Sequence, residues 1–463
     1  MKISDTLTNQ KKELEFSDKV RIYLCGVTVY DQSHIGHART IIVFDTLRRF
    51  LEANNIPVEL IQNFTDIDDK IINRAKEQNE SANALSSKYI QAYFDDSDRL
   101  NIKRATNYPK ATEHIGDMID LIQKLVENEF AYASKNGVYF RVSKFSGYGK
   151  LSKKKTEDLD SGSRIEIDES KENPLDFALW KFSDEQPNWE SPWGKGRPGW
   201  HIECSAMSIK YLGTNFEIHG GGRDLIFPHH ENEIAQSESF TSEPFAKIWM
   251  HAGMITINGE KMSKSVGNVK SINHVLDSWG SNIARLFCIS GHYSKPIDYT
   301  EDLLKENLIK LRQIETCYYE LRLADQTGES DDISPLLKES REKFDAALND
   351  DFNTSLGLSV FFNMIKTINS LAADEKITKT IANKTLPILE YMLEVLGIKI
   401  QTVSDDEIKT VFELINKREA LRGEKQFEDA DKIRERISNM GISLIDHKNK
   451  TLWMKKEMIK AEK

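Results

Sequence analysis

Apolar residues along the N-terminal quarter of the chain alternate between two periods. The β-prone run from Val20 to Leu24 precedes a segment, Ala38 to Asn54, whose apolar residues recur at helical spacing. A second strand is predicted from Val58 to Asn63, and a further helix follows it. Strands that alternate with helices in this way are typical of a Rossmann-type parallel sheet, so the predicted fold class is α/β.

The pattern changes several times along the chain, which predicts separate domains. An insertion divides the α/β region into two halves, and long amphipathic helical patterns begin after the second half. We therefore expect a parallel-sheet catalytic domain with an inserted connective domain, then a helical bundle and a small C-terminal domain. The predicted boundaries are 1–108 and 196–250 for the catalytic halves, 109–195 for the insertion, 251–300 for a lysine-loop region, 301–400 for the bundle and 401–463 for the C-terminal domain.

Composition limits the class of protein. The 463 residues carry a formal net charge of −10, which argues against a surface uniformly coated by nucleic acid but allows a local basic groove. We find no secretory signal near the N-terminus and no run of about 18 apolar residues, so no membrane span is expected. The cysteines at 25, 204, 288 and 317 are too scattered for a disulfide scaffold, which favours a cytoplasmic location.

The turn between the first strand and the first helix contains His34, Gly36 and His37. The two histidines are three residues apart and share one helix face, while Asp31 and Ser33 are candidate N-cap residues. A helix N-terminus presents unpaired N–H groups and a positive dipole end, which suit a phosphate. Gly36 leaves room for a flat ligand. Alone, the pair is also compatible with surface or capped-core histidines.

A second motif, Lys-Met-Ser-Lys-Ser, places Lys261 and Lys264 three residues apart after a β-prone segment and a turn. Two lysines on such a loop can reach a pyrophosphate and offset the charge of a leaving group. Together with the histidine turn, the motif implies ATP attacked at its α-phosphate. His34, Gly36 and His37 would bind ATP near that phosphate, the two lysines would hold the β- and γ-phosphates, and Mg²⁺ would accompany the nucleotide.

A third constellation has the composition of a metal site. The candidate ligands are Cys25, Cys204, His229 and Glu233. A helix that begins near Pro228 would place His229 and Glu233 on one face, and two thiolates with one imidazole and one carboxylate suit zinc. Two alternatives stay open on spacing alone: buried free thiols beside a histidine helix cap, and His230 in place of His229.

Two charged clusters have an ordinary interpretation beside a functional one. Asp66, Asp68 and Asp69 indicate either a capped, solvated helix start or the polar floor of a site. The lysines at 150, 153, 154 and 155 indicate either a solvated loop or a contact with a phosphate backbone.

Taken together, several blocks resemble the cysteinyl-tRNA synthetases, a family of class I aminoacyl-tRNA synthetases, over nearly the whole chain. They are Cys25 to Arg39, Asn63 to Lys70, Asp176 to Lys181, Ser191 to Gly194, Gly196 to Met207, His219 to Glu233, Trp249 to His251 and Lys261 to Ser265. One departure is Val27, where many members have proline, and it changes no reactive group.

The resemblance implies that L-cysteine and ATP form cysteinyl-adenylate and that the cysteinyl group then passes to the 3′ end of tRNA(Cys). It also implies that one Zn²⁺, held by the four candidate ligands, binds the thiolate of the substrate cysteine. The implied residues of the amino-acid pocket are Thr65, Trp200 and His219.

For the tRNA, the resemblance implies stem contacts near the lysine loop and an anticodon-binding C-terminal domain. Asp431 and Arg434 could read base edges there, and Trp453 could stack on a base. From the residues alone, Asp431 and Arg434 are also compatible with a surface ion pair. We expect a monomer that contacts no membrane. The alternative functions are a cysteine ligase that acts on a small amine and an inactive RNA-binding paralogue.

Overall fold

The structure is a computed structural model that describes residues 1–155, 170–262, 267–327, 331–446, 451–455 and 459–462. The chain divides into two compact units. Unit 1 comprises Met1–Ile272, His292–Asp298 and Asn349–Phe352, and unit 2 comprises Asn273–Gly291, Tyr299–Leu348 and Asn353–Lys463.

Helices account for most of the described regular structure. They are α1 (Ile35–Ala53), α2 (Asp69–Gln78), α3 (Ala82–Arg99), α4 (Ile115–Glu127), α5 (Trp200–Leu212), α6 (Glu231–Thr241), α7 (Ile272–Ile289), α8 (Glu301–Arg322), α9 (Ser334–Asn349), α10 (Thr354–Ala373), α11 (Lys379–Leu396), α12 (Asp405–Gly423) and α13 (Phe427–Asn439).

The strands lie mainly in the first two thirds of the chain. They are β1 (Lys2–Asp5), β2 (Gln10–Glu13), β3 (Val20–Thr28), β4 (Val58–Thr65), β5 (Ala131–Ala133), β6 (Gly137–Phe140), β7 (Phe177–Phe182), β8 (Gly196–Pro198), β9 (Phe216–Gly222), β10 (Ala246–Ala252), β11 (Ile255–Ile257), β12 (Glu260–Lys261), β13 (Ile297–Tyr299), β14 (Ile442–Asp446) and β15 (Thr451–Lys455).

Unit 1 is built on a four-stranded sheet in the order β10–β9–β3–β4, and all three pairings are parallel. Ile22 of β3 pairs with Leu60 on one side and with Ile218 on the other. Because β3 and β9 are distant in sequence, the two segments predicted on either side of an insertion form one sheet. The predicted α/β class with a parallel sheet is therefore confirmed.

Helix α1 packs so closely on this sheet that one strand position requires glycine. A Cβ atom at Gly220 in β9 would lie 2.2 Å from the ring of Phe44 in α1, and Phe44 is fully buried. The approach fixes α1 against the sheet, with its first residue a short turn after the end of β3.

The insertion forms its own antiparallel sheet, in the order β5–β6–β7–β8, beside α4. Asp69 joins this sheet to α2, because its carboxylate pairs with Lys181 at 2.7 Å and with Arg197 at 3.1 Å. One member of the predicted aspartate cluster thus connects the insertion to the catalytic domain.

In its described residues, unit 2 is helical apart from the antiparallel hairpin β14–β15 and Tyr299 at the end of β13. Helices α10 and α11 pack against α8, and α12 packs against α13, which agrees with the predicted bundle and small C-terminal unit. By length and composition α10 could cross a membrane. Its apolar residues Phe361, Ile365 and Ile368 are nevertheless buried, as in a core helix of a bundle.

Candidate active site

Four buried side chains from separate elements converge beside the parallel sheet. Cys25 lies in β3, Cys204 in α5, His229 in the turn before α6 and Glu233 in α6. Their ligand atoms all lie within 4.8 Å of one another. The Cys25 thiol donates to Glu233 Oε1 at 3.4 Å, and His229 Nε2 lies 3.1 Å from the same oxygen. The structure thus brings together the four candidate metal ligands.

The donor set and its spacing fit a metal ion. Bonds of about 2.0–2.3 Å in a tetrahedral zinc site separate the ligand atoms by about 3.3–3.8 Å. The two distances to Glu233 Oε1, 3.4 Å from Cys25 and 3.1 Å from His229, lie close to that range. Sulfur and imidazole donors favour zinc over magnesium or calcium, which prefer oxygen.

The turn before α6 contains one break in its helical backbone. Ile226–His230 forms a π-helical turn in which Phe227 is extended, with φ −138° and ψ 131°. Phe227 is the one residue of this turn with non-helical dihedral angles, so helical backbone runs from Pro228 into α6 (Glu231–Thr241), as predicted for a helix that begins near Pro228. His229 and His230 are the last two residues of this turn, so the backbone after the break sets where both side chains point.

The local geometry distinguishes the two neighbouring histidines. His229 belongs to the four-residue group with both cysteines. His230 Nε2 lies 3.9 Å from Glu233 Oε1, and its Nδ1 lies 2.8 Å from His251 Nε2. His230 also belongs to a second group with Cys25 and a third histidine, which lacks Cys204. We therefore assign His229 to the proposed ligand set.

Further rings surround the ligands and orient them. His219 Nε2 lies 2.8 Å from Glu233 Oε2, and His201 Nδ1 lies 3.0 Å from His229 Nδ1. The ring of Trp200 lies over His229 with 4.1 Å between centroids. Partners of this kind hold metal ligands in position. Sequence reasoning missed His201, although it follows Trp200 directly in α5.

Charges in the cluster favour a bound cation. A hydrogen bond with Cys25 lowers the pKa of Cys204 to about 6 despite its burial. Burial raises the pKa of the Cys25 thiol well above its usual range. Burial alone would lower the pKa of His229, but Glu233 and Cys204 raise it to about 10. Although burial opposes it, the nearby His219 and His229 hold the pKa of Glu233 well below its usual range. These directions favour a thiolate beside a carboxylate, and a metal cation can replace the proton on His229.

The histidine turn forms a reciprocal cap at the start of α1. His37 N donates to His34 Nδ1, and His34 N donates to His37 Nδ1, each at 3.3 Å. The rings stack with 3.6 Å between centroids. His34 is therefore the N-cap, and the prediction of Asp31 or Ser33 was wrong, because the paired imidazoles accept the backbone N–H groups of His34 and His37.

The chain on both sides of the lysine motif approaches this turn. Lys264 lies outside the described residues, and Lys261 is described only as part of β12. Met262, the second residue of the motif, lies close to Gly36: a Cβ atom at Gly36 would be 3.1 Å from the Cε atom of Met262. After it, the carbonyl of Lys270 accepts the first backbone N–H of α1 at 3.0 Å.

Residues at the end of β4 complete the polar surroundings. The hydroxyl of Thr65 donates to the buried carboxyl of Glu203 at 2.9 Å. Asp68 caps α2, and Asp66 accepts two hydrogen bonds from Thr112. The aspartate cluster therefore includes both a helix cap, as in the ordinary interpretation, and a buried carboxylate near Thr65.

The predicted lysine cluster lies on an ordered loop with protein contacts. Lys150 pairs with Glu238, and Lys153 Nζ donates to a backbone carbonyl at 2.6 Å. Lys154 Nζ lies 4.1 Å from the ring centroid of Phe227. A phosphate contact at this loop stays a prediction.

The residues expected to bind the anticodon occupy different environments. Asp431 and Arg434 are exposed on α13, and the structure gives no ion pair between these two described side chains. Trp453 is fully buried, with its ring 6.1 Å from that of Tyr319. It is a core residue in this structure, and stacking on a base would require its neighbours to separate. Sequence reasoning missed Phe427, which is 59% exposed one helical turn before Asp431.

Comparison with protein families decides the affiliation. Residues 11–308 match the family described as the catalytic domain of class I (C) tRNA synthetases, and residues 343–401 match the DALR domain. The chain is 46% identical to the cysteine–tRNA ligase of Caldicellulosiruptor saccharolyticus, over 96% of this chain and 98% of the relative. The chain belongs to the cysteine–tRNA ligase family of class I aminoacyl-tRNA synthetases.

Other comparisons agree with this affiliation. The cysteine–tRNA ligase of Thermodesulfovibrio yellowstonii is 45% identical over 98% of this chain and 99% of its own length. Among solved structures, Mycobacterium tuberculosis methionyl-tRNA synthetase in complex with methionyl-adenylate superposes with a TM-score of 0.64. The match covers 82% of this chain and 92% of the methionyl-tRNA synthetase chain at 15% sequence identity, which shows a shared fold. The resemblance to the family is thus confirmed, including the region beyond residue 400.

Proposed function

We propose that this chain ligates L-cysteine to tRNA(Cys) in two steps. In the first, the carboxylate of cysteine attacks the α-phosphorus of ATP, which forms cysteinyl-adenylate and releases pyrophosphate. In the second, a terminal ribose hydroxyl of the tRNA attacks the activated carbonyl, which releases AMP. The observation that carries the proposal is the buried group of Cys25, Cys204, His229 and Glu233 in the same unit as the histidine turn.

We propose that this group holds Zn²⁺, which supplies a soft Lewis acid for the thiolate of the substrate. A serine hydroxyl is a poor ligand at neutral pH, so the site would reject serine by on the order of 10⁴-fold. His219 fixes Glu233, and Trp200 covers His229, so both would shape the amino-acid pocket. Thr65 is held by Glu203 and would border the same pocket.

For the nucleotide, the reciprocal histidine cap aims the N-terminus of α1 at a phosphate. Imidazole and backbone N–H groups there would stabilise the charge that develops at the α-phosphate. Gly36 has no side chain between His34 and Met262, which keeps that approach open. Lys261 and Lys264 would hold the β- and γ-phosphates together with Mg²⁺, as the motif predicts.

Replacing Lys264 with alanine tests the proposed role of the loop. We expect adenylate formation to slow by about 10²–10³-fold, because the lysine would act on the charge of the leaving pyrophosphate. The KM for cysteine should change much less. Single-turnover adenylate formation measures the effect, and Lys264→Arg, which keeps the charge, should recover part of the rate. Equal losses in both quantities would contradict a transition-state role.

On the tRNA side, we propose that α13 contacts the anticodon through Asp431, Arg434 and the exposed ring of Phe427. An aromatic ring that stacks on a base contributes about 1–3 kcal/mol. Trp453 would then support the domain from its core and would not contact the RNA directly.

Phe427→Ala and Trp453→Ala distinguish contact with the RNA from support of the domain core. We expect kcat/KM for tRNA in aminoacylation to fall by about 10-fold or more in Phe427→Ala, with cysteine-dependent pyrophosphate exchange unchanged. Ile309→Ala, which truncates another exposed apolar side chain in unit 2, should leave both activities unchanged. Trp453→Ala should instead lower thermal stability, since core tryptophan truncation costs about 3–5 kcal/mol. Normal charging by Phe427→Ala would exclude the ring from recognition.

Charging of bulk tRNA with labelled cysteine distinguishes the candidate functions. Cysteinyl-tRNA supports the proposal. Pyrophosphate exchange with coupling of cysteine only to a small amine would support a cysteine ligase that acts on a small amine. Absence of exchange would support an inactive RNA-binding paralogue. We also propose a cytoplasmic monomer, which sedimentation and cell fractionation would test.

A further inference from the structure

A loop of the insertion, Ser146–Ser152, is attached to α6, the helix that carries Glu233 and begins two residues after His229. The carboxylate of Glu231, the first residue of α6, is fully buried. It accepts backbone N–H groups from Gly149 at 3.0 Å, Leu151 at 3.4 Å and Ser152 at 2.7 Å. Three donors on one buried carboxylate fix the helix start relative to the loop.

The next residue of the helix is attached to the same loop. The hydroxyl of Tyr148 donates to Asn232 Oδ1 at 2.6 Å, and Asn232 is buried. The loop itself has a demanding shape, because Gly149 has φ +91° and a Cβ there would lie 2.1 Å from the carbonyl oxygen of Lys154. Two consecutive side chains of α6 therefore bind one tightly constrained turn.

The residues that bind the loop lie between two of the candidate metal ligands in the sequence. Glu231 and Asn232 are two of the three residues between His229 and Glu233. The chain before them is a π-helical turn with an extended residue, and no side chain caps α6. The helical backbone is thus broken at Phe227, shortly before His229, and the loop adds fixed contacts between His229 and Glu233.

We propose that Glu231 is a positioning residue that sets the spacing of His229 and Glu233 through the Ser146–Ser152 loop. The inference rests on the proposed function, since it requires those two residues to be metal ligands. Glu231 itself would contact neither substrate nor metal.

Glu231→Gln is the direct test, because the amide has the same size but cannot accept all three N–H groups. We expect Zn²⁺ affinity, measured by competition with a chromogenic chelator, to fall by about 10–100-fold, as for other residues that orient metal ligands. The d–d absorption bands of the Co²⁺-substituted protein should shift. The KM for cysteine should rise while the KM for ATP stays unchanged, a split that general unfolding would not produce.

Glu238→Gln is the matched control. Glu238 lies on α6 and pairs with Lys150 of the same loop, but beyond both candidate ligands. It should leave metal affinity and the Co²⁺ spectrum unchanged. Tyr148→Phe removes only the bond to Asn232, and we expect a smaller loss in the same direction as Glu231→Gln. If Glu231→Gln fails to fold, Tyr148→Phe decides the question.

The outcomes separate the two proposals. Wild-type protein that binds no metal would overturn the proposed zinc site and this inference together. Wild-type protein that binds zinc, with unchanged affinity and spectrum in Glu231→Gln or, if needed, in Tyr148→Phe, would overturn this inference alone. Equal losses in Glu231→Gln and Glu238→Gln would also overturn it, because the effect would then come from attachment of the loop as a whole.

Discussion

Cys204→Ser is expected to lose zinc and to lose activation of cysteine. The substitution removes one of the four proposed ligands, all of which are buried, and a serine hydroxyl binds zinc poorly at neutral pH. We expect metal affinity to fall by more than about 100-fold, beyond the effect typical of residues around a ligand. Cysteine-dependent ATP–pyrophosphate exchange should fall by on the order of 10⁴-fold. Metal analysis of the purified protein and the exchange assay measure the two effects.

Cys317→Ala provides the control for Cys204→Ser. Cys317 is also a fully buried cysteine, but it lies in α8 of unit 2 and in no described group of potential metal ligands. Its loss should leave zinc content and exchange unchanged. Full exchange activity in metal-free Cys204→Ser would refute the proposed recognition of sulfur by a metal.

His34→Asn is expected to lower ATP–pyrophosphate exchange by about 10²–10³-fold while zinc content stays unchanged. The imidazole would stabilise charge at the α-phosphate, and an amide reproduces only its capping role. Asparagine is among the best N-cap residues, so α1 should keep its start. Rapid-quench measurement of adenylate formation, with metal analysis of the same preparation, tests both statements.

The control for His34→Asn removes a cap without touching the histidines. Ser81 caps α3 in unit 1 by accepting the N–H of Ala84 at 3.1 Å. Ser81→Ala should cost about 1 kcal/mol of stability and leave exchange unchanged. Exchange at the wild-type rate in His34→Asn would show that this imidazole acts only as a cap.

The local patterns of the chain were sufficient for most of the fold. Strand β3, the following helix α1 and the long helices of unit 2 agree with the spacing of their apolar residues, because burial of one face depends on that spacing. The predicted ends of the elements were less accurate. Strand β3 extends beyond Leu24 to Thr28, and α1 begins at Ile35, before Ala38. Pairing with neighbouring strands and the histidine cap determine those ends, and neither is a property of the local pattern.

The residue types at the candidate site were also readable from the sequence. A soft ligand set and a histidine turn indicate their chemistry wherever they occur. Their arrangement was not readable, because it depends on backbone contacts between distant segments. Trp453 illustrates the limit, since its aromatic ring suggested RNA stacking while packing placed it in the core and left Phe427 exposed.

By itself, the sequence determined the α/β class, the interrupted catalytic domain, the helical second half and the residue types of the candidate metal group, because periodicity and side-chain chemistry are local properties. Only the tertiary structure grouped His229, and not His230, with both cysteines, identified His34 as the cap and joined Glu231 to the insertion loop. Those outcomes depend on a π-helical turn, on strand pairing and on a loop some 80 residues away, and contacts between distant segments leave no periodic trace in the chain.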